Sequence, residues 1–393
     1  MILTNLLKQK SKLVIGLMSG TSLDGVDAVL IRLSGSGLST KYEQLSFITL
    51  PYSKVEIEAL LKLAKGNIGG SEELLKMNVF IGKKFTKAAL KVCKMASVAP
   101  EEIDFIGSSG HTFYHLPDEV EYLGEKIVGT FQLGEPSFLN EAFNCPVVSD
   151  FRVRDMASGG QGAPLVPYTE YLLYRSESKT VALQNIGGIG NITIIPKSCT
   201  QEEVIAFDTG PGNMVLDSLV RFYSNNKLSF DKNGEIASSG MLNIDLLERQ
   251  LDDDYLRRPI PKSTGREKYN KEYVSKIISF AKNNNIPKED VIFTLTYFTA
   301  KTIEIGLSNN CKKAPDILII GGGGSHNLTL IKCIRSLLPN IEVVTNEDLG
   351  LNSDSKEAVA FAVLANETIH GNCNNLVSVT GASHPVIMGK ISF

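Results

Sequence analysis

Four short stretches of the chain combine acids, hydroxyls, amides and glycines in a way that suits the holding of an anion. They are Ser19-Gly20-Thr21-Ser22-Leu23-Asp24-Gly25, Asn185-Ile186-Gly187-Gly188, Asp208-Thr209-Gly210-Pro211-Gly212-Asn213 and Gly321-Gly322-Gly323-Gly324, and each follows an apolar run that reads as a buried strand. Backbone N–H groups in such turns can approach phosphate oxygens closely, because no Cβ intervenes. Singly, each is an ordinary turn, since Gly, Ser and Asp are common turn formers. As a set they favour a polyphosphate. The helices expected after Gly212-Asn213 and after Ser325-His326-Asn327 would add their positive N-terminal ends.

Carboxylates are the second ingredient. Asp24 and Asp27 sit in and just beyond the first turn, Asp150 and Asp155 flank Arg152 and Arg154, Asp208 opens a glycine loop, and Glu357 starts an apolar helix. Turn bonds, loop salt bridges and helix-end charges account for acids at such places. Asp208 has the strongest chemical case, because an acid at a strand end before a phosphate-type loop is where a base or metal ligand is useful. The familiar nucleotide motifs are absent. His326 stands where G-x-G-x-x-G needs its last glycine, and no G-x-x-x-x-G-K-[ST] occurs, so a bound nucleotide requires another fold. The five histidines show no H-x-x-x-H or H-E-x-x-H spacing, which argues against a zinc enzyme.

The elements that must position these groups follow from hydrophobic patterning. Val14 to Leu33 predicts a strand-turn-strand hairpin, and Thr180 to Pro196 repeats its plan. Tyr52 to Ala64 and Ser71 to Ala96 carry helical periodicity, and a strand at Phe105-Ile106-Gly107 enters Ser108 to Thr112. Asn144 to Pro167 reads as a short strand running into a long polar loop, a kind that is more often functional than structural. Val204 to Val220 and Asp316 to Leu338 each read strand, glycine loop, helix. Two similar hairpin units half a chain apart predict an α/β protein of two lobes with mixed sheets and a ligand cleft between them. The expected lobes are residues 1–150, rejoined by short strands in 379–393, and residues 151–378.

Composition sets the outer bounds. At 393 residues, 43% hydrophobic and 21% charged, the chain can form two domains. A net charge of −3 without a long basic block lacks the footprint of a nucleic-acid binder. Six scattered cysteines without a C-x-x-C pair read as reduced thiols of a cytoplasmic protein. The segment MILTNLLKQKSK has no signal-peptide pattern, and no run of about 18 apolar residues suggests a membrane span.

Five motifs in order resemble the anhydro-N-acetylmuramic acid kinase family. They are Gly16-Leu17-Met18-Ser19-Gly20-Thr21-Ser22-Leu23-Asp24-Gly25-Val26-Asp27, Asp150-Phe151-Arg152 through Pro167, Asn185-Ile186-Gly187-Gly188, Asp208 to Asn213, and Pro261-Lys262-Ser263-Thr264-Gly265-Arg266-Glu267. The similarity extends to the Val379-Thr380-Gly381-Ala382 tail. It implies the two-lobed, ribonuclease H-like fold shared by sugar kinases, heat-shock ATPases and actin. The implied reaction uses ATP and Mg²⁺ to open 1,6-anhydro-N-acetylmuramic acid with water and phosphorylate O6.

By the same resemblance Asp208 is the base, and Glu357 helps hold the water or substrate. Gly20, Thr21, Ser22, Leu23, Asp24, Gly25, Val26 and Asp27 would hold the ATP phosphates, with Asp24 close to Mg²⁺ or substrate. Asn185, Gly187, Gly188, Gly210, Gly212, Asn213, Gly322, Gly323 and Gly324 would line the nucleotide. Thr112 and Arg154 would face the sugar, Arg154 toward its lactyl carboxylate or the transferring phosphoryl group. Partners would be small molecules, with neither nucleic acid nor membrane, and family members are often dimers. The chain departs from the family's Ser-His-Gly-Gln-Thr at Ser108-Ser109-Gly110-His111-Thr112. A kinase of the same fold for another sugar, and a nucleotide- and sugar-binding sensor, are the alternative expectations.

Overall fold

The computed structural model describes residues 2–20, 23–64 and 70–393. Its contacts divide the chain into two compact units, residues 1–173 with 355–393, and residues 174–354.

The first unit is built on a seven-stranded mixed sheet. Strands β1 (Ser11–Ser19) and β2 (Gly25–Ser34) form the expected hairpin, with Met18 opposite Asp27. Strand β3 (Lys41–Pro51) extends it, and β4 (Phe105–Tyr122) runs parallel to β1 on its other side. Strand β5 (Glu125–Leu133) folds back on β4, and β6 (Val147–Ser149) pairs parallel with β4. The β1 residues alternate between faces, as a strand requires. Ile15 and Leu17 join a core with Phe85, Ala88 and Val92 of the helix Ser71–Ala96.

Gly16 points the other way, against the helix Lys356–His370. A Cβ there would lie 1.9 Å from the Ala358 carbonyl oxygen, and one at Gly107 would lie 2.2 Å from that of Phe361. These two glycines, with Ala362 and Ala365 opposite them, let the helix seat directly on the sheet. Its second residue is Glu357. Gly107→Ala is therefore expected to cost about 3 kcal/mol by overpacking. Thermal denaturation checks this.

The second unit has a five-stranded sheet made of β7 (Val181–Ile186), β8 (Ile189–Ile195), β9 (Ile205–Pro211), β10 (Ile317–Gly321) and β11 (Glu342–Thr345). Its order, β11-β10-β7-β8-β9, repeats the order β6-β4-β1-β2-β3 of the first unit. The directions match as well: the first hairpin is antiparallel in each, and the later strands add parallel to its first strand. Helices Lys288–Asn310 and Leu328–Leu337 supply Ala300, Ile303 and Leu330 to the core under this sheet.

Four expectations are corrected. The division falls at 173/174 and 354/355, not near 150 and 378, because the helix Lys356–His370 packs on β1, β2 and β4. Glu357 thus belongs to the first unit. The polar stretch after β6 is not a continuous loop, since Phe151–Ala157 and Val166–Tyr174 are helical. Strands β4 and β9 run on through Ser108–Thr112 and Asp208–Pro211, where pairing with neighbouring strands extends what local composition marks as turns. The tail is a short helix, Val377–Thr380, followed by β12 (Lys390–Ser392), which does return to pair with β6. Among the described residues no helix is long and apolar enough to cross a membrane.

Candidate active site

In the second unit three glycine turns meet. The Asn213 N–H donates to the Gly187 carbonyl at 2.7 Å, and the Gly212 N–H donates to that of Gly188 at 3.0 Å. The Asn213 side-chain amide donates to the Ile186 carbonyl at 3.2 Å. A Cβ at Gly212 would fall 2.3 Å from the Gly187 oxygen, and one at Gly322 would fall 2.5 Å from Asn185 Oδ1. A Cβ at Gly323 would be 3.6 Å from Asn213 Nδ2, and one at Gly324 would strike Ile186. The sequence-picked Asn185, Gly187, Gly188, Gly212, Asn213 and Gly322 to Gly324 are therefore one cluster. Gly210 packs apart from them, on Thr302. Two helices begin at this cluster, Asn213–Tyr223 after Gly212 and Leu328–Leu337 after Asn327, whose side chain caps it by accepting from the Leu330 N–H at 2.9 Å. Helix starts and small-residue backbone of this kind favour an anionic ligand.

Asp208 lies inside β9, not at its end. Gly190 pairs with Gly210 while Asn191 pairs with Asp208, so Thr209 is an extra residue in β9. Such a bulge bends a strand and re-aims its side chains. The Asp208 carboxylate accepts the Thr264 N–H at 2.9 Å, and its backbone carbonyl accepts the Tyr255 hydroxyl at 2.7 Å. Desolvation, with Glu267 adding to it, pushes its pKa up to about 6 against the pull of the Thr264 bond. Lys262, in the motif that also supplies Thr264, points its ammonium at the Tyr255 and Leu256 carbonyls, each at 3.3 Å. A carboxylate that is half-buried, held by one N–H and not neutralised by a cation is suited to take a proton near neutral pH.

In the first unit, the hairpin between β1 and β2 leaves the Asp24 side chain exposed and without a partner among the described residues. Leu23 adopts a φ of 62°, in the left-handed region, with its side chain buried. Leu23 and Val26 spend their side chains in the core, so each can offer a ligand only backbone groups. Asp27 accepts the Thr49 hydroxyl at 2.6 Å. Gly20 and Gly25 bound the described part of the turn, and Thr21 and Ser22 lie outside the described residues. Thr112 pairs with Gln132 across β4 and β5, its hydroxyl accepting from the amide at 3.4 Å.

Glu357 is open to water, yet desolvation by the protein around it raises its pKa, opposed by Arg152 and then Lys356. Arg152 donates to the Gly162 carbonyl at 2.8 Å, and Lys356 is paired with Glu170. Arg154 is exposed. Sequence reasoning named Arg154 and passed over Arg152. Two positions apart on a helix, they lie on different faces, and nothing in the sequence says which one turns inward. Thr264, Tyr255 and Glu267 were also missed as the setting of Asp208, although the motif Pro261 to Glu267 was visible.

A ribonuclease H-like sheet order used twice in one chain, with a phosphate-type nest and an elevated carboxyl in the second copy, marks the class of sugar kinases, heat-shock ATPases and actin. Residues 12–393 match the family model described as anhydro-N-acetylmuramic acid kinase. Curated relatives named anhydro-N-acetylmuramic acid kinase include one from Caldanaerobacter subterraneus subsp. tengcongensis, 48% identical over 99% of both chains. Another, from Clostridioides difficile, is 46% identical over 96% of this chain and 97% of the relative. A third, from Bacillus cereus, is 42% identical over 97% and 99%. The chain belongs to the anhydro-N-acetylmuramic acid kinase family.

Proposed function

We propose that the protein opens the internal bridge of 1,6-anhydro-N-acetylmuramic acid with water and transfers the γ-phosphoryl group of ATP to O6, yielding N-acetylmuramic acid 6-phosphate and ADP in the cytoplasm. The observation that carries this is Asp208, a carboxyl lifted to about 6 and four residues before Gly212 of the glycine nest, within the family motifs. Asp208 removes a proton from the water that attacks C1. The C1–O6 bond breaks with its electron pair left on O6, which attacks the γ-phosphorus as the bond from that phosphorus to the β,γ-bridging oxygen breaks; ADP leaves, and Asp208 gives its proton to solvent. Glu357 holds the water or the sugar, Thr112 bonds the sugar, and the exposed Arg154 pairs with the lactyl carboxylate through charge-assisted bonds.

Phosphoryl transfer depends on positioning and charge neutralisation. The nest at Gly187, Gly212 and Gly322 to Gly324 would supply backbone donors for the triphosphate, and by the family resemblance the hairpin that includes Gly20 and Leu23 to Asp27 would take phosphate too. Asp24 fits Mg²⁺, a hard cation usually held by one or two carboxylates plus phosphate oxygens, because its carboxylate is exposed and uncommitted among the described residues. Bound there, Mg²⁺ would neutralise charge on the phosphates.

Turnover in ¹⁸O-labelled water tests the reaction: one label is expected on the C1 hydroxyl of the product and none in its phosphate. An unlabelled C1 would overturn the hydrolytic step. Arg152 and Arg154 should separate by kinetics. Arg154→Met is expected to raise the KM for the sugar about 100-fold, the worth of a lost charged contact, with little change in kcat. Arg152→Met removes the cation that holds the Glu357 pKa down, so the acid limb of the kcat profile should move to higher pH. A profile that stays in place would disconnect the pair.

A further inference from the structure

The mouth of the first hairpin is held by two residues that the proposed reaction does not use. Tyr52 spans it: its N–H donates to the Asp24 carbonyl at 3.2 Å on the exit side, and its hydroxyl bonds Ser19 Oγ at 3.0 Å on the entry side. Ser19 Oγ also lies 3.2 Å from His111 Nδ1. All three side chains are buried, at 2%, 6% and 5% exposure for Ser19, Tyr52 and His111. His111 reaches Ser19 because of an irregularity in β4. Between the pairs Leu17–Ser108 and Ser19–His111, β4 uses one residue more than β1, and Gly110 takes a φ of 63° there. The bulge aims the imidazole at the last residue of β1. Behind Tyr52, the Lys84 ammonium sits 4.7 Å from its ring centroid and bonds Glu56 at 2.6 Å. Burial keeps the imidazole below its ordinary pKa and pushes the phenol up to about 12, so both stay neutral hydrogen-bonding groups at pH 7.

We propose that Tyr52 and His111 form a clamp that presets the hairpin for the nucleotide phosphates, with His111 a positioning residue acting through the Ser19 hydroxyl. The clamp rests on the phosphate-hairpin reading above. A core histidine with no functional role would affect stability alone. A positioning histidine sets how well the turn receives ATP before any sugar is present.

The test measures dissociation constants for a non-hydrolysable ATP analogue by calorimetry, KM for the sugar, and melting temperature in the full chain. His111→Phe is expected to weaken nucleotide binding about 10-fold, the scale of one or two lost hydrogen bonds, and to leave the sugar KM unchanged. His111→Asn, whose amide occupies the place of Nδ1, should restore binding, and Tyr52→Phe should weaken it as His111→Phe does. A changed sugar KM with unchanged nucleotide affinity, or rescue by Gln and not by Asn, would overturn the clamp, because the working atom would then be Nε2. Asp24→Ala separates the two levels. If it weakens nucleotide binding in the presence of Mg²⁺ and His111→Phe does not, the clamp alone fails; if neither does, the hairpin reading fails with it.

Discussion

Asp208→Asn is expected to lower turnover by about 10³-fold, leave ATP binding unchanged, and raise the melting temperature. The first effect follows from the loss of the proposed base. The second follows because the nest uses backbone and Asn213 rather than the carboxylate. The third has the opposite sign from most active-site substitutions and comes from linkage. A carboxyl whose pKa is 3.8 when exposed and about 6 when folded holds its proton more tightly in the native state. Its ionisation therefore costs stability as pH rises from 3.8 toward 6, and the whole cost is present at pH 8. At about 1.4 kcal/mol per pKa unit, discounted for the partial exposure of the site, the cost is about 1–2 kcal/mol. Asparagine keeps an acceptor for Thr264 without the charge. The wild-type kcat/KM should fall on acidification through about pH 6, as the active carboxylate is protonated. An Asp208→Asn enzyme that turns over at the wild-type rate, or that melts earlier at pH 8, would contradict the assignment.

Gly322→Ala should raise the KM for ATP about 100-fold. Its φ of 79° with ψ of 175° belongs almost only to glycine, and an added Cβ would lie 2.5 Å from Asn185 Oδ1 and 2.9 Å from the Ile186 carbonyl. The strain is worth about 1–3 kcal/mol, so the melting temperature should fall too. Gly323→Ala is the matched comparison. The nearest atom to its Cβ is at an ordinary 3.6 Å, so the fold should tolerate it. An ATP KM that rises in both variants, with stability lost only in the first, is the pattern expected if ligand backbone contacts are made here.

Much of this was legible in the sequence because the signals were local. Both hairpins, the helix Ser71–Ala96 and the helices after Gly212 and Asn327 follow from apolar period, glycine position and capping residues. The resemblance set Asn185, Gly187, Gly188, Gly210, Gly212, Asn213 and Gly322 to Gly324 around one ligand; all of these but Gly210, which packs on Thr302, lie together in the second unit. The strand extents were misjudged at Ser108–Thr112 and Asp208–Pro211, where cross-strand pairing overrode turn-forming composition. The bulges at Gly110 and Thr209 are invisible to one-strand reasoning, since each is defined only by its partner's register. The unit boundary near 354 was hidden because Glu357 follows unit-two sequence but rides on a helix that Gly16 and Gly107 receive in unit one.

That discontinuous first unit has a consequence for biosynthesis. Residues 174–354 emerge from the ribosome as an uninterrupted stretch and can complete their own sheet. The earlier strands must meanwhile wait with the groove at Gly16 and Gly107 uncovered, until residues 355–393 are translated. A nascent chain halted before that point carries Asp208 already in its framework but lacks Glu357, the residue proposed above to hold the water or the sugar.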